Sequence, residues 1–389
     1  MKPINSRSLV AILTAICLFN VILLASAQTW VQTGAPANNN WQCVASSADG
    51  SVLAAAAGAG GIFISTNAGA NWFEANLPNN YYSGIASSAD GSRLAVIYNG
   101  GGMYYSTDYG VDWSTNSTYF PYAFGGLAHQ IASSADGTKL AISASMIYLS
   151  TNGGVSWTSN NIAGPRYASI ASSADGNKLA VASLSVSAIY LSTNAGLTWI
   201  TNTVTNGAFE DIACSADGSH LVAAGSLQIS GPLYASSDSG KTWVSNNVKT
   251  TWQTVAVSAN GAYMAAAGWP GAFSVSTNGV WATNSMPVSG RFIASLASSA
   301  DGGQWVAAVQ AGGIYVLRNI RAPALNLTST GGGLHLNWLV PSTNFVAQQS
   351  PDLASWVNVT NPPSLNFTNL QDQIMLSPSN GSSFYRLAD

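Results

Sequence analysis

A four-residue phrase, Ser-Ala-Asp-Gly, recurs along this chain of 389 residues. Counting one degenerate copy, Ser-Ala-Asn-Gly, it occurs seven times at intervals of 41, 46, 39, 42, 43 and 41 residues. Such a period is typical of propeller blades, each a four-stranded sheet, and is too long for leucine-rich repeats. We call each copy an SADG turn; the third residues of the seven copies are Asp49, Asp90, Asp136, Asp175, Asp217, Asn260 and Asp301.

Each repeat predicts four short strands and no helix. In the fourth repeat these strands are expected near 170–175, 179–183, 188–192 and 197–202, and the Asp-Gly pair between the first two is a tight hairpin signal. Short β-branched and aromatic runs separated by Gly, Asn and Asp indicate an all-β fold.

A second phrase, Ser-Thr-Asn-x-Gly-x-x-Trp, lies between the predicted third and fourth strands, and we call it the Trp turn. It occurs, with small variations, at 65–72, 106–113, 150–157, 192–199 and 236–243, and in a form two residues shorter at 276–281. These residues resemble the BNR or Asp-box repeat of the sialidase-like propellers, although Asn67, Asn152, Asn194 and Asn278 stand where that family prefers Asp. Both residue types can close the turn through a side-chain hydrogen bond to the backbone. The resemblance and the seven copies together imply a seven-bladed β-propeller over residues 28–320.

The seventh repeat ends near 314–317 without a Trp turn. The missing strand has a counterpart near the start of the chain, where Thr29-Trp30-Val31 copies Thr198-Trp199-Ile200. We therefore expect the N-terminal strand to complete the last blade, which would hide two sheet edges.

Residues 1–27 are typical of a secretory signal, with Lys2 and Arg7 before an apolar run and a small-residue site that predicts cleavage after Ala27. The protein is therefore expected to be secreted, periplasmic or held at the cell surface, with no transmembrane helix after cleavage. Residues 324–389 leave the repeat and predict strands at 334–340, 345–349, 356–360 and 384–387. They are similar to fibronectin-type or immunoglobulin-like modules, which implies a small β-sandwich with a stabilising or attachment role.

Composition excludes several classes of function. Charged residues are 7% of the chain and the net charge is −3, which argues against nucleic-acid binding. No His/Cys cluster has the spacing of metal ligands, and nothing indicates a cofactor. Cys43 and Cys214 fall in non-neighbouring repeats, so we expect two unpaired buried thiols, and we expect a monomer.

Aromatic residues recur eight positions before the third residue of the SADG turn. Five of the seven positions are aromatic, and they are expected where the inner strands enter from the face opposite the two turns, whose loops vary in length. Such a ring suits the binding of an extracellular glycan or protein. The alternative is that each aromatic residue packs between two blades. The candidate binding residues are Trp41, Tyr82, Tyr122, Arg166, Tyr167, Phe209, Glu210, Asp211, Trp252 and Arg291.

The repeated aspartates are interpreted as turn residues, and no catalytic residue is assigned. Glycosidases need two carboxyl groups about 5 to 9.5 Å apart, whereas adjacent residues such as Glu210 and Asp211 on one strand point to opposite faces. A secreted, non-catalytic binding propeller is therefore favoured over a divergent glycoside hydrolase that uses Glu210 or Asp211 with Arg166 and Arg291. A third interpretation follows from a resemblance to the photosystem II assembly-factor propellers, which act as scaffolds.

Overall fold

The computed structural model describes residues 29–388 except 117, 119, 121–129, 161, 163–166, 205–207, 227–229, 247–249, 320–322, 331–332, 342–344 and 377–382. The predicted signal segment lies outside the described residues. Every element in the described part is a β-strand, and no helix there is long and apolar enough to cross a membrane.

The described strands between residues 30 and 318 pair in seven antiparallel groups of four, of which the last, first and second also join into one twelve-stranded sheet. We call these groups blades 1 to 7 after the SADG turn that each contains. The strands of blades 1 to 4 are β2 (Asn39–Ser46), β3 (Leu53–Gly60), β4 (Ile62–Ser65), β5 (Phe73–Glu74), β6 (Asn80–Ser87), β7 (Leu94–Tyr98), β8 (Gly102–Ser106), β9 (Ser114–Thr115), β10 (Gln130–Ser133), β11 (Leu140–Ser143), β12 (Ile147–Ser150), β13 (Thr158–Asn160), β14 (Tyr167–Ser172), β15 (Leu179–Ser183), β16 (Ala188–Ser192) and β17 (Ile200–Thr203). Those of blades 5 to 7 are β18 (Ala208–Cys214), β19 (Leu221–Ser226), β20 (Leu233–Ser236), β21 (Val244–Ser245), β22 (Thr251–Val257), β23 (Tyr263–Trp269), β24 (Ala272–Thr277), β25 (Val280–Ser285), β26 (Ile293–Ser298), β27 (Gln304–Gly312), β28 (Ile314–Arg318) and β1 (Trp30–Gln32).

The N-terminal strand completes blade 7, as the sequence predicts. Strand β1 pairs antiparallel with β28, with Trp30 opposite Leu317 and Val31 opposite Val316. The Trp30 ring is buried and meets the edge of Phe273 in blade 6, with ring centroids 4.9 Å apart. Closure therefore combines a backbone ladder with apolar packing between blades.

A ring of backbone hydrogen bonds joins the inner strands around the propeller axis. The alanine of each SADG turn donates its N–H to the alanine carbonyl of the next blade, and the last bond, from Ala300 to Ala48, closes the circle. The seven donor–acceptor distances lie between 2.7 and 2.9 Å. Small side chains are required because seven inner strands of the chain converge here. The members of this alanine ring are Ala48, Ala89, Ala135, Ala174, Ala216, Ala259 and Ala300.

Both turns of a blade lie on the same side of the propeller, as predicted. In blade 4, the N–H of Ala195 in the Trp turn donates to the carbonyl of Asn177 beside the SADG turn, at 2.7 Å. Equivalent bonds join the two turns in blade 1 through Ala68 and in blade 5 through Ser239. We call this side the turn face.

The C-terminal residues form two small sheets around an apolar core. The first has the order β29 (Asn326–Thr330), β30 (Gly333–Leu339), β34 (Gln371–Leu376) and β33 (Ser364–Asn366); the second has the order β32 (Val357–Asn358), β31 (Val346–Ser350) and β35 (Phe384–Ala388). Trp338, Ala347 and Ile374 are buried between them. The four strands expected here are present within a few residues, whereas β29, β33 and β34 carry weak patterns and were missed.

The C-terminal sheets contact the turn face at the propeller axis. Val340 is buried against the alanine ring, and the half-buried side chains of Leu339, Leu365 and Leu370 pack in the same cluster. A cavity of about 160 Å³ remains between the ring and Leu370. These contacts fit the stabilising role that the sequence suggests.

Of the three cysteines, Cys17 belongs to the predicted signal segment, and the two in the described residues are unpaired thiols in different blades. Cys43 is buried on β2 and Cys214 is half-buried on β18. Burial raises the pKa of each thiol to about 12, so neither is a reactive thiolate at neutral pH.

Candidate functional site

The five predicted aromatic residues lie between the blades and do not form an exposed rim. Their exposed fractions lie between 0 and 4%. Trp41 packs between blades 7 and 1, Tyr82 between blades 1 and 2, and Trp252 between blades 5 and 6; Tyr167 and Phe209 occupy the equivalent places at the two sides of blade 4. The packing alternative therefore describes their positions in the structure.

A β-bulge accounts for the direction of these side chains. The register of each described inner-strand pair from blades 1, 2, 4, 5, 6 and 7 shifts by one residue directly after this position, as between Trp252 and Thr254. A bulge bends its strand and redirects the neighbouring side chain. Regular strand alternation does not predict such a shift, so the sequence left the binding ring and the packing between blades as alternatives.

Phe120 takes the missing place between blades 2 and 3, where the aligned residue is Ala128. Its ring is 1% exposed and meets the edges of Tyr148 and Trp157, each with centroids 5.1 Å away. An aromatic residue from the connecting loop thus fills the gap. The candidate Tyr122 lies outside the described residues.

Asp211 lies on the inner strand of blade 5, β18, and its side chain connects three blades. Its carboxylate accepts a hydrogen bond from the Ser169 hydroxyl of blade 4 at 2.6 Å and one from the Val255 N–H of blade 6 at 2.9 Å. It also accepts the N–H of Ile212 at 2.9 Å. Burial raises the pKa of this carboxyl group, although these hydrogen bonds act in the opposite direction. The side chain therefore serves as an inter-blade connection.

The other charged candidates do not converge on Asp211. Glu210 is the extra residue of the bulge in β18 and is half-buried, and Arg291 is exposed before β26. Arg166 lies outside the described residues. Among the described residues, neither Glu210 nor Arg291 makes a hydrogen bond or an ion pair with Asp211, so these residues do not form a paired carboxylate site there.

The repeated aspartates close their own turns, as predicted. In blade 4, Asp175 accepts the Ser173 hydroxyl at 2.6 Å and the Asn177 N–H at 3.0 Å. Burial acts to raise the pKa of Asp175, but the hydrogen bonds from Ser173 and Asn177 outweigh it and lower the pKa below its usual value. Asn260 accepts the same two kinds of hydrogen bond in blade 6.

A groove of about 750 Å³ opens on the turn face between blades 5 and 6. Its described walls come from both turns of blade 6 and from the outer strands of blade 5. Sequence reasoning placed any site on the opposite face, so this groove was missed. The residues that line it are His220, Ala235, Ser236, Ser237, Val244, Ser245, Asn246, Asn260, Gly261, Ala262, Met264, Asn278, Gly279 and Trp281.

The groove exists because the blade 6 Trp turn is two residues short. In the full-length turns, a methyl group placed on the turn glycine would touch the preceding blade, as Gly196 would touch Leu149 and Gly240 would touch Leu191. The same group on Gly279 would meet no atom within 4 Å. The residue of blade 5 that aligns with Leu191 is the small Ala235. The groove is therefore widened on both sides, by the shorter turn of blade 6 and by the smaller side chain of blade 5.

The shortened turn also changes what its tryptophan binds. In the five full-length turns the indole N–H donates to the carbonyl of the turn glycine, at 2.9 to 3.1 Å. In blade 6 the chain instead makes a two-residue Asn278-Gly279 turn, and Trp281 pairs with Ser276 across the hairpin. No hydrogen bond joins the Trp281 indole to another described residue, so an apolar ring and a polar N–H both border the groove.

The chemistry of the groove is neutral and polar. Ser237 and Asn278 supply exposed hydroxyl and amide groups beside the ring of Trp281, whereas the Ser236 hydroxyl and the Asn260 side-chain oxygen are bonded within their own turns. None of the described lining residues is Asp, Glu, Lys or Arg. Such a surface can accept and donate hydrogen bonds and can bury apolar area, and His220 is the one ionisable side chain among its described residues.

No family model matches the chain, and no curated protein matches it. Solved structures do resemble it. One described as "YCF48 bound to D1 peptide" has a TM-score of 0.57 and 16% sequence identity, and the match covers 75% of this chain and 96% of that one. Another, "YCF48 from Cyanidioschyzon merolae", has a TM-score of 0.55 and 16% identity, and the match covers 75% of this chain and 98% of that one. At this identity the likeness shows the fold, a β-propeller.

Proposed function

We propose that this chain is an exported, non-catalytic propeller of the Asp-box type that binds a protein ligand in the groove between blades 5 and 6. The observation that carries the proposal is the groove itself, which replaces a filled inter-blade contact with a neutral polar surface beside Trp281. The predicted signal segment supports export. The contacts of the C-terminal sheets with the alanine ring support a stabilising role for residues 324–389.

The distribution of carboxylates favours binding over hydrolysis. Asp211 is engaged by three hydrogen bonds within the ring, and the repeated aspartates are engaged in their turns. A glycosidase needs a second carboxyl group at a defined distance, and none of the described groove residues is acidic. The hydrolase alternative therefore receives no support from the described geometry.

Two observations favour a protein ligand. The groove is larger than a single side chain requires, and its amides and hydroxyls match the donors and acceptors of a peptide backbone. A propeller of similar fold was solved with a peptide bound, which indicates that this architecture can hold one.

The proposal is tested with peptides selected against the mature chain from a random library. Trp281→Ala is expected to weaken the selected peptides by about tenfold or more, because aromatic anchors dominate such contacts. Trp199→Ala is the matched control, since its indole is bonded within its own Trp turn in blade 4, away from the groove. Calorimetric titration of the three proteins gives the affinities.

Two results would contradict the proposal. One is a selected peptide that binds the wild type and Trp281→Ala equally well. The other is a library without binders combined with binding of a neutral glycan on an array, which would assign the groove to saccharides.

A further inference from the structure

The outer strand of blade 6 differs from those of the other blades in length. Strand β25 has six residues, whereas the outer strands of the other six blades have two to four. Its ladder with β24 contains six residue pairs, from Thr277 with Val280 to Ala272 with Ser285. By contrast, β20 and β21 of blade 5 share two pairs.

The shortened Trp turn explains the long ladder. Asn278 and Gly279 have φ values of 49° and 84°, which suit a two-residue hairpin turn with both central residues left-handed. Pairing therefore starts at the residues that flank the turn. In the longer turns several residues intervene before the fourth strand begins.

The free edge of β25 lacks the features that usually protect an edge strand. Its sequence, Val-Trp-Ala-Thr-Asn-Ser, contains no charge and no proline, and Val280 is 73% exposed. In the described sheet β25 pairs with β24 alone. Edges of this kind bind extended peptides by strand addition.

Backbone geometry identifies the outward groups. In a two-residue hairpin the residues that flank the turn, here Thr277 and Val280, form a hydrogen-bonded pair, and bonded pairs then alternate along the ladder. The N–H and C=O groups of Trp281 and Thr283 consequently point away from β24. The side chain of Trp281 also lines the groove, so the free edge and the groove adjoin at this residue.

We propose that β25 accepts an extended, uncharged segment of a partner protein as a fifth strand of blade 6, with one of its side chains in the groove beside Trp281. This inference rests on the proposed function and specifies how the ligand is held. A segment without charges fits this site because the described lining residues include no Asp, Glu, Lys or Arg to compensate a buried charge, and the one ionisable side chain, His220, is bonded to Ser219 through Nδ1. Six residues of edge span about 20 Å, enough for a segment of five or six residues.

The test removes one outward N–H. Thr283→Pro deletes a donor on the free edge without removing a bond to β24, and proline is tolerated on the open side of edge strands. We expect it to weaken the selected peptides by about tenfold or more. Thr283→Val keeps the N–H and is expected to bind within about twofold of the wild type. In hydrogen exchange, peptide binding should slow the amides of Trp281 and Thr283.

A second variant covers the case in which Thr283→Pro fails to fold. Inserting alanine after Asn278 and threonine after Val280 rebuilds a full-length Trp turn, which should fill the groove, shorten β25 and abolish binding. Peptide binding that survives this insertion, or amides of Trp281 and Thr283 that exchange no more slowly when peptide is bound to the wild type, would overturn strand addition.

The outcomes separate this inference from the proposed function. If Trp281→Ala abolishes binding while Thr283→Pro does not, the groove binds peptides without strand addition, and the inference fails alone. If neither variant changes binding, the proposed site itself is wrong. A dimer of the wild type that Thr283→Pro dissociates would instead assign the edge to a second copy of this chain and overturn the inference.

Discussion

At the scale of single residues, two kinds of aspartate have different structural roles. The Oδ1 atom of Asp217 accepts hydrogen bonds from Ser215 and from Ser219, all within one turn of blade 5. Asp211, a few residues earlier, uses both carboxylate oxygens to hold groups from three blades. Sequence position within the repeat predicts the first role. The second depends on which strands the ring brings together.

We expect Asp211→Asn to lower the free energy of unfolding by about 1 to 3 kcal/mol. An amide has one acceptor oxygen, whereas Ile212 and Val255 donate to different oxygens of Asp211. One backbone N–H would then face an NH₂ group. Urea unfolding monitored by tryptophan fluorescence measures the change.

Asp217→Asn is the matched control within the same blade. The hydrogen bonds to Asp217 all reach one oxygen, as do those to the natural Asn260. Asp217→Asn should therefore lower the free energy of unfolding by less than about 1 kcal/mol. Equal stability of the two variants would refute the connecting role. Loss of a glycosidase activity in Asp211→Asn without loss of stability would revive the hydrolase alternative.

At the scale of elements, the inner strands combine a part that the sequence predicts with a part that it does not. The alanine four residues before the third residue of each SADG turn, and the apolar residue before it, indicate inner strands that converge on an axis. For the aromatic residue eight positions before, the sequence left a ligand-binding ring and packing between blades as alternatives, and in the structure a β-bulge turns it between blades. One residue without a partner in each bulged inner strand, the bulge residue, is what turns the aromatic side chain between the blades.

Trp252→Ala should therefore reduce the stability of the fold. Its side chain is 2% exposed against Val222, Leu233 and Met264, and truncation of such a residue costs about 3 to 5 kcal/mol. The exposed Tyr81 of blade 2 serves as the control, since Tyr81→Ala should change stability by no more than about 0.5 kcal/mol. Thermal unfolding of both variants checks the difference. An unchanged unfolding temperature for Trp252→Ala would contradict the packing role.

At the scale of the whole molecule, closure of the ring depends on the two ends of the propeller. The alanine ring joins Ala300 to Ala48, and strand β1 joins the N-terminal segment to blade 7. Each contact spans more than 250 residues of sequence, so neither forms until the ring is complete.

Removing residues 28–36 should lower the unfolding temperature by about 10 °C relative to a chain that starts at Gln28. The truncation deletes the β1 ladder and exposes the surface around Phe273 that Trp30 covers. Calorimetry of the two chains measures the shift. Identical melting of the two chains would mean that blade 7 is stable without its N-terminal strand.

The sequence by itself determined the repeat, the all-β fold, the turn role of the aspartates and the strand that closes blade 7. These features follow from patterns that act over a few residues or that recur in every repeat. Only the tertiary structure decided that Trp252 packs between blades, that Asp211 connects three of them, and that two missing residues near Gly279 open a groove. The physical reason is that each of these features depends on contacts with a neighbouring blade. The pattern within one repeat does not specify which residues of that blade, such as Ala235, lie opposite.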